Sequence, residues 1–81
     1  MSHVHDQPNP SVDAANKLAK MGGQITAFFA HYPEEQAVSS IAQHINKFWS
    51  KKMRQDFLNA YRNDHGALPD LLAKALNQIK N

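Results

Sequence analysis

The chain contains no cysteine. That absence removes disulfide bracing, thiolate metal ligation and thiol nucleophilic catalysis at once. Long apolar runs are missing too. Nothing approaches the ~20 consecutive apolar residues that span a bilayer, and the polar opening Met1–Pro10 lacks the apolar stretch of a secretory signal. A soluble protein of the reducing cytoplasm, with no membrane partner, is the expectation. Glycine is scarce, with three residues in all. The adjacent pair Gly22–Gly23 has neither the further glycines nor the preceding strand of a phosphate-cradling loop. Excess charge is small, +2 with five histidines counted neutral, which is too little to draw nucleic acid by bulk electrostatics.

Catalytic groupings are also lacking. Ser39 and Ser40 fall on a helical stretch without a neighbouring base or a strained turn to activate a hydroxyl. Glu34 and Glu35 are adjacent, so on a helix they point in different directions. His31, His44 and His65 lie in three separate helical regions, where a structural role is the default. His3 and His5 have the spacing of a loose copper or nickel clamp but no third ligand, and a solvated tail explains them equally well. No catalytic, cofactor-binding or metal-ligating residue is expected in this chain.

What the sequence does have is helical periodicity. Residues 1–10 are polar, with Val4 their only branched aliphatic, and read as a flexible tail. The remainder, 11–81, reads as one helical domain with helices at about 11–31, 34–48, 51–65 and 69–80. Ser11 is a candidate cap for the first, which carries Ala15, Leu18, Ile25, Phe28, Phe29 and Tyr32 at helical spacing. At Gly22–Gly23 either this helix breaks or something packs very close. Pro33 marks the boundary with the second helix, where Glu34 and Glu35 suit the positive end of the helix dipole. Ala37, Val38, Ile41, Ala42, Ile45 and Phe48 form its apolar stripe. Ser50 is a candidate cap for the third helix, which Gly66 ends, and Pro69–Asp70 opens the fourth, with Lys80 near its negative end. The fold class is therefore all-α, a small single-domain antiparallel bundle of three to four helices with a disordered N-terminal tail. A core this small leaves a thin margin of stability, and without disulfides a partner is the expected staple.

Two features point to such a partner. The segment Lys47–Arg54 interleaves cations with Phe48, Trp49 and Met53, a composition enriched at protein interfaces. The plain alternative is that Trp49 plugs a helix junction while the lysines stay solvated. Phe28 and Phe29 point about 100° apart on a helix, so one of them is a candidate for an exposed apolar patch. His44, beside Ile41, Ile45 and Phe48, marks the rim of a contact surface.

Read in order, these residues resemble the delta-subunit family of cytoplasmic NAD-dependent formate dehydrogenases. The likeness runs from about Lys17 to Ile79. It includes Met21, Gln24–Ile25, Phe28–Phe29, Tyr32–Pro33–Glu34–Glu35, Ala37–Val38, Ile41–Ala42, His44–Ile45, Lys47–Phe48–Trp49, Met53–Arg54, Leu58 and Gly66, with His44 to Arg54 its most specific piece. The tail and the segment Asn59–His65 depart from it.

The resemblance implies a non-catalytic accessory subunit that assists assembly, stability or cofactor maturation of the catalytic alpha subunit. The parent complex would carry a molybdenum or tungsten pterin, iron–sulfur clusters, FMN and NAD, none of them in this chain. The matched surface candidates are Phe28, Tyr32, His44, Trp49, Met53 and Arg54, with Lys51 and Lys52 joining Arg54 at the rim of a docking site. Two alternatives stay open: a helix-turn-helix-like nucleic-acid-binding module, because two helices join beside cations at Trp49–Ser50, and a homodimeric helical adaptor.

Overall fold

A computed structural model describes residues 10–81, with side chains from Asp13 onward. The tail, with His3 and His5, lies outside the described residues apart from Pro10. Four α-helices follow in order: α1 (Pro10–Phe29), α2 (Glu34–Phe48), α3 (Lys51–Tyr61) and α4 (Asp70–Ala75), with single 3-10 turns at His65–Ala67 and Leu76–Gln78. No strand occurs among the described residues, and none of their helices is long and apolar enough to cross a membrane. The class is all-α, as the periodicity predicts.

α1 already includes Pro10, so Ser11 lies inside its first turn and is not its cap. The helix then runs unbroken through both glycines. Gly22 faces α4 so closely that an added Cβ would sit 2.9 Å from Cδ2 of Leu72, whereas Gly23 faces open space. Close packing, the second of the two outcomes the glycines allowed, is the one realised. Ala15, Leu18, Gly22 and Thr26 form the buried face. The Thr26 hydroxyl donates to the Gly22 carbonyl at 2.8 Å, so this buried polar group is satisfied within the helix.

α2 buries Ala37, Val38, Ile41, Ala42 and Ile45. Phe48 departs from the predicted stripe and is 65% exposed. The reason lies one residue later. Trp49 leaves the helix in an extended conformation, φ −85° and ψ 144°, and its indole turns under the bundle to meet Phe57 edge-on at 5.4 Å. Trp49, seven residues past Ala42 and four past Ile45, thereby takes the last core position of the stripe, and Phe48 falls at its edge.

Ser50 caps α3 as predicted, its hydroxyl accepting the Met53 N–H at 3.1 Å. The helix stops at Tyr61 rather than near 65, where Asn63 and Asp64 favour a turn and the Asp64 N–H tightens back to the Tyr61 carbonyl. Gly66 lies in the following 3-10 turn with no positive φ, so it is no helix cap. α4 is also shorter than the predicted 69–80. Its continuation is diverted because Asn46 offers the C-terminal backbone other partners, donating to the Gln78 carbonyl at 2.9 Å and accepting the Lys80 N–H at 2.8 Å. Lys80 consequently lies beyond any helix.

Ile41, Ile45, Phe57, Leu58 and Leu72 are the largest fully buried side chains. α2 packs on α4, and α1 on both α2 and α3. At the surface Lys74 of α4 reaches Glu34 at 2.9 Å and Asp70 at 3.2 Å. The hydrogen bond to Glu34 first, and that to Asp70 second, raise the Lys74 pKa above its ordinary 10.5.

Candidate functional site

Among the described residues four large hydrophobic side chains stand exposed: Phe28 at 68%, Phe48 at 65%, Tyr32 at 42% and Met21 at 40%. Three of them are neighbours. Met21, Phe28 and Phe48 line one open cleft of about 600 Å³ between α1 and the α2–α3 junction. One wall is α1, which contributes Met21, Gln24, Ile25, Phe28 and Phe29; the other is His44 and Phe48 of α2 with Met53 of α3, and Trp49 lies beneath. No acidic residue lines it.

Helical geometry explains the wall. Met21, Ile25 and Phe28 recur at i, i+4 and i+7, a second stripe rotated about 60° from the core stripe of Leu18 and Gly22. A single helix cannot bury both stripes in a bundle of this size. The rings are ordered among themselves: Phe28 meets Phe29 edge-on with centroids 5.0 Å apart, and His44 sits 4.7 Å from Phe48. Lys47 holds its ammonium 5.5 Å from the centre of the Phe48 ring, a cation–π distance. A smaller recess of about 280 Å³ adjoins, bounded by Ala14, Lys17 and Leu18 on α1 and by Ser50, Lys52 and Asp56 across from them. Met21 and Met53 line both spaces. The two form one groove along the α1 face from Ala14 to Phe28, about 21 Å at the helical rise.

Of the residues singled out from sequence, Phe28, His44, Trp49 and Met53 come together in the cleft. Trp49 is 5% exposed, so it is the floor of the site and not a projecting anchor. Tyr32 does not line the cleft; its ring stacks on His31 at 5.4 Å and lies 6.0 Å from that of the cleft residue Phe29. Lys51 is exposed, and Lys52 edges the smaller recess while binding Asp56 at 3.0 Å. Arg54 is half-buried and already engaged within the chain. Its guanidinium donates to the Trp49 carbonyl at 2.8 Å and to the Lys80 carbonyl at 2.9 Å, tying the α2–α3 junction to the C-terminal segment. Met21, Gln24, Ile25, Phe29 and Phe48 were not among the predicted site residues. The second apolar stripe on α1 is the signal that identifies Met21 and Ile25.

Among the described residues no three His, Cys, Asp or Glu side chains gather into a set that could hold a metal ion. The thiolate donors of an iron–sulfur cluster are absent from the sequence. What the site offers chemically is apolar and aromatic area with cations near its edge.

Comparison with curated proteins and with solved structures returns no match. A family model does match: that of the NADH-dependent formate dehydrogenase delta subunit (FdsD), over residues 17–76. The matched span takes in most of the chain and every residue that lines the cleft. The chain belongs to the formate dehydrogenase delta-subunit family.

Proposed function

We propose that this chain is a non-catalytic accessory subunit that docks on the catalytic alpha subunit of a cytoplasmic formate dehydrogenase and assists its assembly, stability or cofactor maturation. The observation that carries this reading is the gathering of Met21, Phe28 and Phe48 into one apolar cleft. Apolar side chains left this open cost solubility unless a partner covers them. Membership of the delta-subunit family supplies the complex in which to look for that partner. The molybdenum or tungsten pterin, iron–sulfur clusters, FMN and NAD of the enzyme belong on this reading to the larger subunits, and this chain's contribution is contact area. Covering the cleft stabilises both partners by mass action, because neither bound surface is available to the unfolded chains.

The experiment is affinity purification of the tagged chain from its own cell extract, with identification of what accompanies it and an assay of formate-dependent NAD reduction. Catalytic subunits are expected in the eluate, with activity. In cells lacking this chain, the isolated alpha subunit should hold less molybdenum or tungsten per mole or be recovered in lower yield. Recovery of nucleic acid alone, of a second copy alone, or of unrelated protein overturns the reading.

A further inference from the structure

The groove also says what should lie in it. Its wall along α1 is straight, about 21 Å long by the helical rise, and lined chiefly by Met21, Ile25, Phe28, Phe48 and Met53. Such a lining, although Gln24 and His44 edge the main cleft and Ser50 the smaller recess, offers an incoming chain few hydrogen-bond partners and no sheet edge. An extended peptide would bury its backbone N–H and C=O groups there unpaired, whereas an α-helix arrives with those groups already satisfied. The two methionines shared by both recesses are the side chains best able to adjust to an inserted helix.

Charge narrows the occupant further. The main cleft has no acidic lining residue. Lys47 stands over the Phe48 ring, at the edge of that cleft. Lys17 and Lys52 border the smaller recess, but they already pair with Asp13 and Asp56. Lys47 has no ion-pair partner among the described residues. A second copy brought up with its own cleft facing this one would add no acidic lining residue to meet it.

We infer that the groove between α1 and the α2–α3 junction receives an amphipathic α-helix of the partner subunit, apolar face inward, with Asp or Glu on the flank beside Lys47. The inference rests on the accessory-subunit reading and adds the class of element that is bound.

The test places the photo-crosslinking residue p-benzoylphenylalanine at position 28 in one sample and at position 48 in another, in the complex isolated from cells. Both positions are about two-thirds exposed, so the substitutions spare the core. Crosslinks from both should fall on one partner segment with apolar residues at helical spacing and acids on one flank. The variant Lys47→Glu should weaken co-purification by about fivefold, a size expected of one reversed rim charge. Changing the acids of the crosslinked segment to lysine should restore it. Failure of the unmodified chain to recover the catalytic subunits would sink the accessory-subunit reading itself. Intact co-purification with crosslinks to a second copy, to a strand or loop, or to nothing would overturn the helix inference alone, as would indifference to the charge reversal.

Discussion

Replacing Gly22 by alanine isolates the approach of α4 to α1, and Gly23 beside it supplies an internal control. Both lie in the interior of α1, where alanine is favoured over glycine by about 0.8–1 kcal/mol. At Gly23 the new methyl meets nothing within 4 Å. Gly23→Ala should therefore raise stability by about 1 kcal/mol, which for a domain of this size lifts the melting midpoint by roughly 4–8 °C. At Gly22 the same methyl would lie 2.9 Å and 3.3 Å from the two Cδ atoms of Leu72. Leu72 is fully buried, so its Cδ atoms can yield only by repacking against their core neighbours. Overpacking of this kind costs about 1–3 kcal/mol, so the helix gain is cancelled or exceeded, and the two variants should differ by about 1–3 kcal/mol. In a Leu72→Val background, itself weakened by about 1 kcal/mol, the crowding carbons are gone and Gly22→Ala should become stabilising. Thermal unfolding followed by circular dichroism reads all four variants. Equal rises for Gly22→Ala and Gly23→Ala in the parent chain would refute the tight packing, as would the same effect of Gly22→Ala in both backgrounds.

Arg54→Ala should lower stability by about 1–3 kcal/mol by removing charged hydrogen bonds to two backbone carbonyls, and Arg54→Lys should recover only part, because an ammonium cannot span both as the planar fork does; urea unfolding checks both. Phe28→Ser with Phe48→Ser should leave the unfolding midpoint within about 1 kcal/mol of the parent while abolishing recovery of the catalytic subunits; intact recovery would place the docking surface elsewhere. Because its partners raise the folded-state pKa of Lys74 above 10.5, the pair's contribution is present below that pH and is lost as pH rises through the raised value. The difference in urea midpoint between the parent and Lys74→Met should accordingly shrink above pH 10.5 and hold steady from there down to neutral pH.

How much of this was legible in the sequence depended on the range of the interaction. Features set within one helical turn were readable: the boundary at Pro33, the Ser50 cap and the apolar periods of α2 and α3. Features decided by distant partners were not. The end of α4 depends on Asn46, more than thirty positions away, capturing the backbone of Gln78 and Lys80. The role of Arg54 depends on the same segment. A cation among aromatics reads as an interface residue until a carbonyl from elsewhere in the chain is seen to hold it.

The exchange of Phe48 and Trp49 joins that lesson to function. Periodicity puts Phe48, three residues past Ile45, only at the edge of the buried stripe of α2. The extended backbone at Trp49 sends the indole into the core, and leaves a phenyl ring facing Phe28 and Met21 across the cleft. Phe48 therefore costs the fold little when removed, since its exposure is already 65%, yet it supplies a large apolar face to anything docked there. Trp49 is the reverse: its loss opens the core against Phe57, for which large-to-small changes cost about 3–5 kcal/mol. Replacing Trp49 together with Arg54 would thus report on folding before it reported on docking, while Phe28 and Phe48 separate the two. A chain selected only to fold would have no need to hold these exposed rings together, which is why Phe28 and Phe48, rather than Trp49 and Arg54, are the positions that test the docking reading.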